Sequence, residues 1–210
     1  MRKTILENIF SKLDNHEIEF IVLRNHEEIP EKISIDNDLD LVVKPIYNNQ
    51  LKQLLIKNNF KIKNNFIDPN TYLYKSKPHI HFFDYRNNLH LDIVNNLSYR
   101  SPNNNEWVSV HEEIQNSLWN NKIKTNSLWI YEPSIGDLLI HLICHCIFDK
   151  KSFNYKYCEK IKYLYQKCEK QKLKENLKLI FFKFTDKLIS MIGNNELDKI
   201  INNYYSFSNY

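Results

Sequence analysis

The chain has 210 residues, of which 42% are hydrophobic and 13% aromatic, so it can bury the core of one domain and carry a helical extension. Its 29 Lys and Arg residues and 25 Asp and Glu residues give a net charge of +4, which suits an anionic ligand but is too small to indicate nucleic-acid binding. No apolar window approaches the length of a membrane span and no signal peptide is visible, so we expect a cytoplasmic protein without a membrane partner.

Hydrophobic periodicity predicts a helix and then a buried strand at the start of the chain. Apolar residues recur at helical spacing over residues 2–15. The apolar run over residues 19–23 predicts a buried strand, which ends at the polar pair Arg24 and Asn25. After the acidic segment described next, a second helix is predicted to begin near Pro45.

Two carboxylates separated by one residue lie in the next predicted strand, which is expected to begin near Asp38. Asp38 and Asp40 share one face of this strand, because side chains alternate along it, and apolar residues occupy the other face. An apolar strand has no structural use for two neighbouring carboxylates, since each one makes ionisation of the other more costly. We therefore expect a cation there, and Mg²⁺ or Mn²⁺ is the candidate because hard divalent ions prefer carboxylate oxygens.

A predicted hairpin supplies a third carboxylate. Residues 80–84 and 89–94 alternate in polarity and are joined by a turn rich in asparagine, which predicts two antiparallel strands. Asp92 lies on the polar face of the second strand, and Asp84 at the end of the first strand is the alternative third acid. Asp92 is preferred because its apolar neighbours bury the strand that must hold it still.

Basic side chains accompany this hairpin. Lys77, His79 and His81 are expected to alternate onto one strand face, which could be the face of Asp92. They could bind phosphate or accept a proton there, although solvated side chains are the simpler interpretation. His90 shares the polar face of the second hairpin strand and is at best a supporting residue. A further short strand is predicted over residues 72–74.

The last third of the chain predicts helices. Ser134 is the expected N-cap of a strongly apolar helix. Further helices are predicted over residues 152–169, 172–191 and 195–204.

The order of these elements resembles that of the nucleotidyltransferase superfamily, which has the DNA polymerase β-like fold. The matching residues are the strand 20–23 with the loop after it, the segment Asp38-Leu39-Asp40-Leu41, and the segment Leu91-Asp92-Ile93. The resemblance covers most of residues 1–95. The helical remainder is similar to the C-terminal part of uncharacterised bacterial nucleotidyltransferase-like proteins, some of which are connected with surface-polysaccharide synthesis.

The resemblance implies an α+β fold, a nucleotidyltransferase-like mixed sheet flanked by helices, with a C-terminal helical subdomain. We expect the α/β domain to cover residues 1–130 and the helical subdomain residues 131–210. The active-site cleft is expected between them.

In this superfamily three carboxylates hold one or two magnesium ions, and the resemblance assigns that role to Asp38, Asp40 and Asp92. It implies transfer of a nucleoside monophosphate from a nucleoside triphosphate to a hydroxyl or phosphate acceptor, with Mg²⁺ or Mn²⁺ as cofactor. The superfamily usually has Gly-Ser after the first strand. Arg24 and Asn25 stand there in this chain and could contact phosphate instead.

Other residues and other functions remain open. His145 and Lys150 are candidates for contacting the nucleotide from the helical part. Asp137, His141 and His145 also have a spacing that can bind zinc, although packed histidines are the simpler interpretation on so apolar a helix. One alternative function is phosphocholine-transferase-like phosphoryl transfer, to which Pro30 ahead of the acidic strand is a loose match. Another is a catalytically inactive nucleotide-binding or protein-binding module.

Overall fold

The structure is a computed structural model that describes residues 2–24, 29, 33–63, 79–101, 106–125 and 130–207. The chain divides into two compact units, of which the first comprises Met1–Ser98 with Lys122–Pro133 and the second comprises Tyr99–Asn121 with Ser134–Tyr210. Asn25, Pro30, Lys77 and the strand predicted over residues 72–74 lie outside the described residues.

Strands and helices are numbered in chain order. The strands are β1 (Phe20–Arg24), β2 (Leu39–Val43), β3 (Lys61–Ile62), β4 (Ile80–Asp84), β5 (Leu89–Val94), β6 (Ser98–Arg100), β7 (Trp107–Ser109), β8 (Ile123–Lys124) and β9 (Tyr131–Glu132). The helices are α1 (Arg2–Asn15), α2 (Asn48–Lys57), α3 (Glu112–Asn120), α4 (Ile135–Cys144), α5 (Tyr155–Lys167), α6 (Lys170–Phe181), α7 (Thr185–Gly193) and α8 (Ile200–Tyr205). Short 3-10 turns cover Pro45–Tyr47, Phe182–Phe184 and Leu197–Lys199, and a π-helical turn covers His145–Lys150.

A mixed sheet forms the centre of the first unit. In the described residues its strands lie in the order β1-β2-β5-β4-β3. Strand β2 is antiparallel to β1 and parallel to β5, and β4 is antiparallel to both of its neighbours. The parallel pairing aligns Asp40 with Asp92 and Leu41 with Ile93. The register of β2 and β5 therefore brings together two carboxylates that are far apart in the chain.

The two faces of this sheet differ because side chains alternate along each strand. Leu39, Leu41 and Val43 of β2 belong to one buried cluster with apolar residues of α1 and α2. Leu91 and Ile93 of β5 belong to the same cluster. Burial of each such side chain contributes roughly 1.5–3 kcal/mol. Asp40 and Asp92 alternate with these apolar residues, so their side chains lie on the opposite face of the sheet.

Helix α4 is the most deeply buried helix of the second unit in the described part of the chain. It contacts α3, α5 and α6, and every residue from Asp137 to Cys144 is buried. The Ser134 hydroxyl accepts a hydrogen bond from the backbone N–H of Asp137, so the predicted N-cap is confirmed. Among the residues with a described position, no helix is at once long enough and apolar enough to cross a membrane.

The helices after α5 differ from the sequence prediction. The single helix predicted over residues 172–191 is two helices, α6 and α7, because the chain breaks at Phe182. This residue has φ 48° and ψ −125°, a conformation that bulky L-residues rarely adopt. No glycine or proline marks the break, and apolar periodicity continues on both sides of it. The helix predicted over residues 195–204 likewise begins as a 3-10 turn before α8.

Replacing Phe182 by glycine is expected to raise the free energy of unfolding by about 1 kcal/mol. Backbone strain in a sparsely populated region costs roughly 1–3 kcal/mol and glycine relieves it, while its greater flexibility in the unfolded chain offsets part of the gain. Little packing is lost, because Phe182 is 63% exposed. Chemical denaturation measures the change. Phe182→Ala is the control, since it removes the ring but keeps the Cβ atom, and an equal gain in both variants would contradict the role of strain.

Candidate active site

Three carboxylates come together at one end of the central sheet. One oxygen from each of Asp38, Asp40 and Asp92 lies within 4.8 Å of the others, and we call this set the carboxylate triad. Asp40 and Asp92 are each only 7% exposed. Asp38 was expected inside the strand but precedes it, because β2 begins at Leu39, which is the register partner of Leu91.

The guanidinium of Arg24 is bound to the triad. Its Nε donates to Oδ2 of Asp40 at 2.6 Å, and its Nη2 donates to Oδ1 at 2.9 Å. Arg24 is the last residue of β1 and the register partner of Asp40. Such a bidentate, charge-assisted pair is among the stronger interactions of its kind. The sequence suggested a phosphate contact for Arg24, whereas the structure gives its guanidinium a carboxylate partner.

Burial controls the ionisation of Asp40. The pKa of Asp40 is raised to about 6, against an ordinary value of 3.8, and loss of solvent is the largest cause. The charge and hydrogen bonds of Arg24 lower this pKa, whereas the charges of Asp38 and Asp92 contribute to the increase. Ionisation of Asp40 is therefore more costly than that of an ordinary aspartate even with Arg24 in place, and a bound cation would lower that cost.

Two histidines surround Asp92. Nδ1 of His79 lies 2.8 Å from Oδ2 and 3.0 Å from Oδ1 of this carboxylate. His81, the register partner of Asp92, has its Nδ1 3.6 Å from Oδ1 and also 3.0 Å from Nε2 of His90. The sequence favoured solvated side chains at His79 and His81. Strand alternation predicted that these histidines share one face of the strand. The register of β4 and β5 shows that the acid they contact is Asp92.

Asp84 has a different environment, which gives its carboxylate a structural role. Its carboxylate accepts hydrogen bonds from the backbone N–H groups of Arg86 at 3.1 Å and Asn87 at 3.2 Å. It therefore stabilises the turn between β4 and β5. Among the described residues, the carboxylate triad is the one group of three His, Cys, Asp or Glu side chains spaced to hold a metal ion, and Asp84 is not in it.

The candidates from the helical part lie in the second unit. His145 is 6% exposed, with Nδ1 3.0 Å from Asp149 Oδ2 and Nε2 3.4 Å from the Tyr157 hydroxyl. His141 is also buried, and its Nδ1 lies 2.7 Å from the Tyr99 hydroxyl. These contacts make both histidines members of a packed polar network. Lys150, at the end of the π-helical turn, is exposed.

The zinc site considered from the spacing of Asp137, His141 and His145 does not form in the described part of the chain. Asp137 instead accepts hydrogen bonds from the hydroxyls of Ser117 and Ser134. The packed interpretation of these histidines agrees with this arrangement. Asn25, the remaining candidate for phosphate contact, is outside the described residues.

Acidification is expected to stabilise the metal-free protein relative to its Asp40→Asn variant. The pKa of Asp40 in the folded state is about 6, above the ordinary 3.8, so the native state takes up a proton first and the free energy of unfolding rises as the pH falls from 7 towards 4. A shift of this size corresponds to about 2–3 kcal/mol. Urea unfolding in EDTA at several pH values measures the free energy of unfolding of both proteins. The same pH dependence in the wild type and in Asp40→Asn would contradict the prediction.

Comparison with known proteins identifies the fold. No protein-family model matches the sequence, and no curated protein matches it. The fold is similar to the solution structure of the antibiotic-resistance factor ANT(2'')-Ia, a nucleotidyltransferase, with a TM-score of 0.52 and 9% sequence identity. The likeness covers 92% of this chain and 96% of that chain. The predicted fold class, a nucleotidyltransferase-like mixed sheet with flanking helices, is therefore confirmed.

Proposed function

We propose that the protein is a metal-dependent nucleotidyltransferase, which moves a nucleoside monophosphate from a nucleoside triphosphate to a hydroxyl or phosphate acceptor. The observation that carries this proposal is the carboxylate triad, in which two acids at the start of β2 and a third from the distant strand β5 approach within 4.8 Å. The nucleotidyltransferase-like fold supports it. A purely structural role accounts poorly for the triad, since its charges repel one another in a largely buried setting.

The donors of the triad fit a hard divalent cation, because all three are carboxylate oxygens and they are close enough to share one ion. Asp38, Asp40 and Asp92 are the residues that would hold Mg²⁺ or Mn²⁺. Such an ion supplies charge neutralisation for the triphosphate and lowers the pKa of an acceptor hydroxyl. Asp92 is the residue that we assign to the acceptor, where it orients the hydroxyl and takes its proton.

We assign the remaining candidates to nucleotide binding. A guanidinium has five N–H donors, so Arg24 can hold Asp40 and a phosphate oxygen at the same time. Asn25 directly follows it and offers amide donors. His145 and Lys150, the candidates from the helical part, belong to the second unit, and their contact with the nucleotide stays a prediction.

Ligand-induced thermal stabilisation tests this proposal. Each of the four nucleoside triphosphates is added with Mg²⁺ or Mn²⁺, and at least one is expected to raise the melting temperature. A ligand at about 100 times its dissociation constant stabilises the native state by about 2.7 kcal/mol. Asp38→Asn is the matched variant and should lose the metal-dependent part of the shift. The proposal fails if no triphosphate shifts the wild-type melting temperature with either metal.

A second candidate is a binding module that holds a nucleotide without turnover. The observation that favours it is the bidentate contact of Arg24, which engages both oxygens of Asp40 in the absence of a usual Gly-Ser loop. Pyrophosphate release distinguishes the two candidates. A nucleotide that stabilises the protein but gives no pyrophosphate, with glycerol, monosaccharides and nucleotides offered as acceptors, would favour the binding module.

A further inference from the structure

We propose that Arg24 takes the place of a second cation in the carboxylate triad, so that the triad binds a single divalent ion; this inference rests on the proposed function. Many sites for phosphoryl transfer hold two metal ions roughly 3.5–4 Å apart. In this chain the guanidinium of Arg24 already contacts Asp40 of the triad. Its positive charge belongs to a side chain of the protein and does not have to be supplied by a bound ion.

The contact between Arg24 and Asp40 has the geometry of a built ion pair. Two nitrogens of the guanidinium face two oxygens of the carboxylate, at 2.6 Å and 2.9 Å. Both side chains are largely buried, with 16% of Arg24 and 10% of Asp40 exposed. A planar bidentate pair fixes the orientation of both groups. A cation that approaches Asp40 along the same edge must therefore displace a guanidinium rather than water.

The strand register explains why this contact forms. Strand β1 is antiparallel to β2, and the regular pairing shifts between Val22 and Arg24. This irregularity makes Arg24 the partner of Asp40 at the last position of β1. Both ends of the ion pair thus belong to hydrogen-bonded strands, so the position of the guanidinium is set by the sheet.

The charges agree with one ion. The carboxylate triad carries three negative charges when ionised, and Arg24 offsets one of them. One divalent cation neutralises the remaining two. A second would leave two positive charges uncompensated beside side chains that are only 7% exposed.

Counting bound Mn²⁺ tests the inference directly and does not depend on turnover. Equilibrium dialysis without nucleotide measures the number of ions per chain in the wild type, in Arg24→Met and in Arg24→Lys. We expect one ion in the wild type and two in Arg24→Met, because methionine has a similar length and no charge. Arg24→Lys keeps the charge and is expected to keep one ion.

The outcomes separate this inference from the proposed function. Two ions in the wild type would overturn the inference and leave the proposed function intact, and so would a single ion in Arg24→Met. No bound ion in the wild type would overturn the inference, and the thermal shift with triphosphate and metal would then decide the proposed function. Two ions in Arg24→Lys would overturn the role of charge. Removal of Arg24 leaves Asp40 buried without its partner, so Arg24→Met is prepared with Mn²⁺ present. If Arg24→Met does not fold, the number of Mn²⁺ ions bound by the wild type decides the inference, since one ion supports it and two ions overturn it.

Discussion

Replacing Asp92 by asparagine is expected to lower the rate of nucleotidyl transfer by about 10²–10⁴-fold, the range associated with loss of a positioned proton acceptor. Asparagine has nearly the same shape but neither the charge nor the basicity that the proposed role of Asp92 requires. It also removes one negative ligand from the carboxylate triad. The rate is to be measured as pyrophosphate release at saturating triphosphate, together with the melting temperature of each protein.

Asp84→Asn is the matched control for this prediction. Asp84 lies on the adjacent strand β4 and is 1% exposed, but its carboxylate accepts hydrogen bonds from the β4–β5 turn. The control is expected to lower the melting temperature slightly and to leave the rate within a few-fold of the wild type. The assignment of the third acid would be wrong if Asp84→Asn abolished turnover while Asp92→Asn kept it.

Replacing Ile93 by alanine is expected to lower the free energy of unfolding by about 2–5 kcal/mol, the usual range for deleting a large buried aliphatic side chain. Ile93 is fully buried, directly follows Asp92 and is the register partner of Leu41. The loss combines reduced apolar burial with a cavity beneath the strand that carries the third carboxylate. Chemical denaturation followed by circular dichroism measures it.

The same substitution at Ile46 provides the control. Ile46 belongs to the 3-10 turn before α2 and is 81% exposed, so Ile46→Ala should change the free energy of unfolding by no more than about 0.5 kcal/mol. Equal destabilisation by the two variants would contradict the placement of Ile93 in the core. The Ile93→Ala variant should also bind Mn²⁺ less tightly, because β5 would hold Asp92 less rigidly.

The acidic positions could be recognised in the sequence because strand alternation is a local property. Asp40 and Asp92 each lie between apolar residues that the core requires, and the structure confirms that alternation. The beginning of β2 was predicted one residue too early. Strand pairing determines that boundary, since Leu39 is the first residue of β2 that pairs with β5.

The partners of these acids could not be predicted in the same way. The phosphate contact expected of Arg24 stays a prediction, but its contact with Asp40, which the shifted register between β1 and β2 produces, was not predicted. His79 was expected in solvent, yet it contacts Asp92. The break at Phe182 was missed because a strained backbone conformation leaves no pattern in residue polarity.

The sequence by itself determined the alternation of the strands, the most apolar helix with its Ser134 cap, and three acids in the order typical of a nucleotidyltransferase-like fold. Each strand, the capped helix and each acid could be recognised from the residues next to it in the chain. The tertiary structure alone decided that β2 and β5 run parallel in the register that aligns Asp40 with Asp92, and that Arg24 and His79 meet them. Contacts between distant segments follow from strand order and register, which depend on packing of the whole sheet rather than on any local pattern.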